Sequence, residues 1–257
     1  MSPAFTDHFQ NVAHAYADSR PGYPAELFTW LAAHCATRDC AWDCATGSGQ
    51  AACDLSGHFT QVVATDASAA QLAHAVPCAG VDYRQAPAEA SGLPAQSVDL
   101  IVVAQALHWF DSERFFVEAR RVLKPGGLLA VWCYGVMQVE GAAVDALLQD
   151  FYQRVVGPYW PAERRHVENA YRDLQVPWPH LPVPEFAMRQ HWNLAQLAGY
   201  LRSWSATARC QQASGRDPVA DLLGQLGPRW GEPQRTRRIA WPLAVQVGIQ
   251  SNALQLG

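Results

Sequence analysis

The chain has 257 residues, a formal net charge of −4, 49% apolar residues and 16% charged residues, enough for one large α/β domain with a sizeable core. That balance excludes a disordered polyelectrolyte and gives no basic excess that would call for nucleic acid. Seven cysteines without a C-x-x-C pair read as buried free thiols, and nine histidines without H-E-x-x-H spacing give no metal site.

Phe9, Val12, Ala13 and Tyr16 fall at helical spacing, and Ser19-Arg20-Pro21-Gly22-Tyr23-Pro24 then breaks the pattern. Pro24 opens a second predicted helix through Leu27, Phe28, Trp30, Leu31 and His34. Asp39 to Cys44 is a short apolar strand that ends in the acid Asp43. It runs at once into the turn Ala45-Thr-Gly47-Ser-Gly49 and a helix from Gln50. Gln61 to Asp66 is a second buried strand ending in an acid, and Ala67 to Val76 read as a helix that Ser68 or Asp66 caps. Val81 to Gln85 and Val98 to Val103 are the third and fourth strands. Asp111 caps a helix that Leu123-Lys124-Pro125-Gly126-Gly127 stops, and Leu128 to Tyr134 is the fifth strand.

From Glu140 to His180 the pattern changes to an amphipathic helix and proline-rich loops, which reads as an insertion or lid over residues 140–182. Glu185 to Trp192 alternates as a strand, Leu194 to Trp204 and Pro218 to Trp230 read as helices, and Arg237 to Val247 as a final strand. These late strands are expected to close one sheet edge. The expected division is a single domain: a helical cap over 1–36, a cofactor-binding half over 37–135, the insertion, and a closing part over 183–248. The N-terminus lacks the basic start and apolar core of a secretory leader, and no apolar run reaches the ~20 residues of a membrane helix. A cytoplasmic location is the expectation.

Five apolar strands alternating with helices imply a parallel sheet covered on both faces, with ligands bound beyond the strands' carboxyl ends. Asp43, Asp66, Glu89 and the segment Gln105 to Trp109 all fall at or after those ends. The glycines permit left-handed backbone and close approach of a ligand, and the helix that follows offers unpaired N–H groups. Alone, Gly47-x-Gly49-x-x-Ala52 with Asp66 downstream also fits a dinucleotide loop, so an NAD-dependent oxidoreductase remains an alternative.

Further segments carry a resemblance. They are Tyr16 with Arg20-Pro21-x-Tyr23-Pro24, Thr65-Asp66-Ala-Ser68, Ala88-Glu89, Ala104-Gln105-Ala-Leu-His108-Trp109-Phe110 and Arg121-Val-Leu-Lys124-Pro-Gly-Gly127. Leu201-Arg-Ser-Trp204-Ser205 and Trp241-Pro242-Leu243 are later echoes. With the loop Asp43 to Gln50, the chain resembles class I S-adenosylmethionine-dependent methyltransferases of the type 11 group, which includes trans-aconitate-like enzymes. The resemblance implies a Rossmann-like sheet of about seven strands, mostly parallel with an antiparallel last strand. It also implies S-adenosylmethionine as cofactor and a small-molecule methyl acceptor, with no nucleic-acid or membrane partner, in a monomer or homodimer.

The same resemblance implies roles. Ala45, Gly47 and Gly49 would lie against the methionyl part of the cofactor with Asp43 near its amino group. Asp66 with Ala67 would hold the ribose, Ala88 and Glu89 would flank adenine, and Gln105 and Ala106 would line the sulfonium side. Tyr16 and Arg20 would contact the cofactor or an acceptor carboxylate. His108 would act as base or position the acceptor, with Trp109, Tyr134, Trp160 and Trp204 around it and Trp132 and Trp178 near by. An acceptor carboxylate calls for an arginine, with Arg20, Arg154 and Arg202 as candidates. Ala45 stands where the usual D-x-G-x-G-x-G loop has its first glycine, so a catalytically silent cofactor-binding protein is a second alternative.

Overall fold

The computed structural model describes residues 21–250. The predicted first helix, with Tyr16 and Arg20, lies outside the described residues. Helix α1 (Ala25–Ala33) starts after Pro24 and buries Leu27, Phe28, Leu31 and Ala32. The chain then alternates through β1 (Cys40–Cys44), α2 (Gln50–Ser56), β2 (Gln61–Asp66), the single-turn α3 (Ala69–Leu72) and β3 (Val81–Gln85). Next come β4 (Val98–Ala104), α4 (Ser112–Val122) and β5 (Leu123–Cys133). Ser68 and Asp111 accept the capping bonds of α3 and α4, as expected.

The main sheet has six strands in the order β3-β2-β1-β4-β5-β9, where β9 is Ala244–Ile249. The first five are parallel and β9 pairs with β5 antiparallel. Side-chain alternation divides the strands between two cores. Ala41, Val62, Ala64, Leu100, Val102, Ala130 and Trp132 face α1 and α2, while Trp42, Val63, Ile101, Val103, Leu129, Val131 and Cys133 face α4. Each large apolar side chain buried this way stabilises the sheet by about 1.5–3 kcal/mol. The strand order reverses between β1 and β4, and the resulting crevice opens where Asp43 and Asp66 end their strands.

The opposite edge is tied by Asp99. Its carboxylate accepts the Asp39 and Cys40 N–H groups at 2.9 Å, the Thr37 hydroxyl, and the Lys124 ammonium at 2.8 Å. An added Cβ at Gly127 would sit 2.9 Å from the Lys124 carbonyl. The Lys124-Pro-Gly-Gly127 segment is therefore a structural clamp at the amino ends of the strands.

A second layer follows β5. It contains β6 (Gln138–Val139), α5 (Ala142–Asp150), a π-turn (Phe151–Val155) and α6 (Arg164–Glu168), then β7 (Ala187–Trp192), α7 (Leu194–Arg202), α8 (Ser205–Ser214), α9 (Pro218–Trp230) and β8 (Arg237–Pro242). The strands β6, β8 and β7 form their own three-stranded antiparallel sheet. Leu148, Phe151, Leu197, Leu201, Leu226, Trp230 and Trp241 fill the core beneath it.

Three sequence expectations are corrected. The strand expected at 185–192 does not join the main sheet: it buries Met188 and Trp192 on one face only and pairs with β8. The expected final strand breaks at Leu243, whose N–H turns to the Phe186 carbonyl just after Pro242, which has no N–H to offer. The cysteines are not all free. The chain after α3 doubles back along α2, bringing Cys78 within 5.6 Å (Cα–Cα) of Cys53, and the two form a disulfide. Among the described residues no helix is long and apolar enough to cross a membrane.

Candidate active site

The loop between β1 and α2 is held in left-handed backbone at Ala45 (φ +59°), Gly47 (+58°) and Gly49 (+84°). Ala45 keeps the angle for which the sequence expectation required glycine, at a cost of roughly 1–2 kcal/mol, and its methyl packs on the apolar cluster of Cys44, Ala88 and Ala106. The two glycines differ in what they leave open. An added Cβ at Gly47 would meet only Gln71 Oε1 at 3.9 Å, whereas one at Gly49 would clash with the Tyr83 ring, 2.9 Å from its Cζ. Gly49 thus makes room for Tyr83, while Gly47 leaves space beside the backbone. Tyr83 donates to the Val76 carbonyl at 2.8 Å and the Val76 N–H donates to Ser48 at 3.1 Å, so the disulfide-closed strap is fastened to the loop.

Asp43 and Asp66 frame this loop. Asp43 is buried; its Oδ2 accepts the Thr46 hydroxyl at 2.6 Å, and its Oδ1 is buried without a partner among the described residues. Burial pushes its carboxyl up to about 7, with Thr46 and the Ala52 N–H pulling down and Asp66 pushing up. Asp66 accepts the Gly47 N–H and the Ser68 N–H, each at 2.9 Å, one on each oxygen. Beyond β2, Ala67 offers its carbonyl to Gln85 at 3.1 Å, Ala88 is buried, and Glu89 accepts the Asp111 N–H at 3.0 Å.

At the end of β4, Gln105 adopts φ +57° and donates to the Tyr134 carbonyl at 2.9 Å, leaving its Oε1 buried without a partner among the described residues. Two orphaned acceptor oxygens, on Asp43 and Gln105, therefore lie at the ends of adjacent strands. Ala106 is buried beside Gln105, and the 3₁₀ turn Leu107–Trp109 follows. His108 Nδ1 lies 2.7 Å from the Tyr171 hydroxyl and its ring contacts Trp109 at 4.7 Å between centroids. Burial, with the nearby Arg164 guanidinium adding to it, pushes the imidazole down to about 3, so it is neutral near pH 7.

Sequence reasoning missed Tyr171 and Arg164. Tyr171 is fully buried with φ +55°, after Ala170 at +54°, and its carbonyl accepts Gln246 Nε2 at 2.8 Å. Arg164 heads α6, which packs on the His108 turn. Its guanidinium lies 4.7 Å over the Trp160 ring and donates to the Tyr152 hydroxyl at 2.9 Å. Trp160, Trp204 and Tyr152 contact one another at 5.5–5.7 Å. The signal for Arg164 was an arginine four residues after Trp160 in the insertion, where a cation can reach back over the ring.

The two other candidate arginines are held in ion pairs. Arg154 pairs with Asp150 and is 80% exposed, while Arg202 pairs with Asp217 at 3.0 Å. Trp132 is buried against Tyr23 and Phe28, and Trp178 against Gly248. Both fill the core. Tyr134 is buried in the second layer's core. Among the described residues no cluster of histidine, cysteine, aspartate or glutamate could hold a metal.

The donor and acceptor set matches a cationic nucleoside cofactor. Asp66 presents a carboxylate at the end of its strand, and the orphaned oxygens of Asp43 and Gln105 call for a positively charged or hydrogen-donating group. Residues 42–131 match the profile of a methyltransferase domain. A Dictyostelium discoideum protein named as a methyltransferase is 32% identical over 225 residues, covering 86% of this chain and 86% of that one. The Saccharomyces cerevisiae protein CRG1, named as an S-adenosylmethionine-dependent methyltransferase, is 30% identical, covering 84% of each chain. A solved structure from Anaeromyxobacter dehalogenans, described as a type II methyltransferase, superposes with TM-score 0.86 at 41% identity over 90% of this chain and 98% of that one. Since these likenesses extend over both layers and the matched profile spans the loop, Asp66 and His108, the chain belongs to the class I S-adenosylmethionine-dependent methyltransferases.

Proposed function

We propose that the enzyme O-methylates a small-molecule acceptor, a carboxylate or a phenol or enol, held against the second layer. The observation that carries this reading is Arg164 stacked over Trp160 on the helix that packs against the His108 turn. The groups there are chiefly donors: the guanidinium, the Trp160 indole N–H, which is buried without a partner among the described residues, and a neutral His108. Donors and positive charge favour an oxygen acceptor and disfavour an ammonium. The resemblance to trans-aconitate-like enzymes points the same way.

When bound, S-adenosylmethionine supplies a methyl group on a sulfonium: an acceptor lone pair forms the new bond as the carbon–sulfur bond breaks and its electron pair returns to sulfur. The residues that would hold the cofactor are Asp66 with Ala67 at the ribose, Asp43 and the Ala45–Gly49 loop at the methionyl part, Ala88 and Glu89 around adenine, and Gln105 and Ala106 at the sulfonium. The chain's own contribution is positioning, since in-line transfer depends on holding the acceptor near the methyl. Trp160, Trp204 and Tyr152 would exclude water from an acceptor beneath the 140–182 segment, and Trp109 would hold the His108 ring. The test is a labelled-methyl turnover screen over small carboxylates, phenols and amines. Label in esters or ethers is the expected result, and label confined to amines would overturn the reading.

A further inference from the structure

We propose that Tyr171 is a positioning residue that fixes His108 in the tautomer carrying its proton on Nε2, so that His108 meets the acceptor as a hydrogen-bond donor and takes no proton from it. This rests on the methyltransferase reading for its purpose, though not for its geometry.

The two rings share one short hydrogen bond, 2.7 Å from Nδ1 to the phenol oxygen. Either atom could supply the proton, and the surroundings decide. Tyr171 is fully buried, and among the described residues its hydroxyl meets His108 and no other residue. The hydroxyl proton has one acceptor within reach among the described residues, and that acceptor is Nδ1. The reverse arrangement, with Nδ1–H donating, leaves a buried hydroxyl proton unpaired, which biases the ratio of the two forms by roughly 5- to 150-fold.

Burial keeps both groups neutral. Burial, with the Arg164 guanidinium near by, disfavours a charged imidazole, and burial holds the Tyr171 phenol well above its usual range. Arg164 thus serves twice, as countercharge for an anionic acceptor and as a charge that adds to burial in disfavouring protonated His108. With Nδ1 committed, Nε2–H is the ring's remaining polar group, on a partly exposed residue just past Gln105 and Ala106. A donor there can hold an acceptor oxygen by its lone pair. The nucleophile must therefore reach the methyl group without a proton, and acceptors already ionised near pH 7 are preferred over phenols of ordinary acidity.

Tyr171 is itself held. Its carbonyl accepts Gln246 Nε2 at 2.8 Å, and Gln246 Oε1 accepts the Val176 N–H at 3.1 Å, which ties the phenol to the antiparallel strand β9. The ring position is thus set by the sheet.

The test is nitrogen-15 NMR of histidine-labelled protein, with the His108 signals assigned by their loss in His108→Asn. The expected result is an unprotonated Nδ1 and a protonated Nε2 from pH 6 to 8 in the wild type, becoming a mixture in Tyr171→Phe. Calorimetry with S-adenosylhomocysteine should show equal affinity in wild type and Tyr171→Phe, while kcat on an ionised acceptor falls about tenfold and KM changes less. A protonated Nδ1 in the wild type, or an unchanged tautomer in Tyr171→Phe, would overturn the proposal. The wild-type spectrum needs no variant to fold, and an absence of S-adenosylhomocysteine binding would count against the cofactor assignment without touching the tautomer.

Discussion

Asp43 and Asp66 end adjacent parallel strands and grip neighbouring residues of one loop, Asp43 through the Thr46 hydroxyl at 2.6 Å and Asp66 through the Gly47 N–H at 2.9 Å. The two acids differ in what surrounds them. Asp43 is sealed, with one oxygen unsatisfied among the described residues, whereas both oxygens of Asp66 are engaged by backbone N–H groups.

That difference predicts a pH dependence. With its carboxyl at about 7, Asp43 is partly protonated in the ligand-free protein at neutral pH. A ligand ammonium group set against Asp43 favours the ionised form, so affinity for S-adenosylhomocysteine, through its amino group, should rise as pH climbs from 6 to 8 and then level. In Asp43→Asn the dependence should flatten. The sign for folding is opposite: the raised carboxyl binds its proton more tightly folded than unfolded, so this group's contribution to stability falls between about pH 4 and 7. Calorimetry and thermal melts across this range check both.

Arg164→Ala should lower turnover on an anionic acceptor at least tenfold while leaving cofactor affinity within about twofold. The same substitution should leave a neutral acceptor less affected. Steady-state kinetics on paired substrates, one ionised and one not, provides the check.

The Cys53–Cys78 bond closes a loop with sequence separation 25, which in the chain-entropy picture is worth about 3 kcal/mol. Reduction, or the paired change Cys53→Ser with Cys78→Ser, should lower Tm by several degrees. Because the strap reaches Ser48 through Val76, S-adenosylhomocysteine affinity should also fall by a few-fold. Calorimetry with and without reductant measures it.

Ala45→Gly should change little. Relief of the left-handed strain, about 1–2 kcal/mol, is offset by glycine's greater unfolded entropy, about 0.5–1 kcal/mol, and by loss of a packed methyl worth about 0.8 kcal/mol. Denaturant titration should show a change under 1 kcal/mol, and cofactor affinity should hold within about threefold.

Much of the cofactor half was legible because local rules write it. Apolar strands ending in Asp43 and Asp66, the caps Ser68 and Asp111, and the glycine turn each act within a few residues. The angle at Ala45 was not legible, since propensity argues against it and only packing on the Ala88 and Ala106 cluster makes it tolerable. The disulfide escaped notice because Cys53 and Cys78 belong to no spaced motif and meet only when the chain doubles back along α2. Tyr171 and Arg164 escaped for a similar reason: each acts on a residue far away in sequence, His108, across a fold-level contact. The late strands were visible as strands, but the alternation of Met188 and Trp192 could not say which sheet they would join.

Calorimetric titration of S-adenosylhomocysteine into the wild type and Asp66→Ala bears most directly on the cofactor edge. Saturable binding at one per chain, weakened at least tenfold by the substitution through loss of hydrogen bonds to a charged group, is the predicted result. Equal affinity in the two proteins would contradict the ribose role of Asp66 and with it the placement of the cofactor along the ends of β1 and β2.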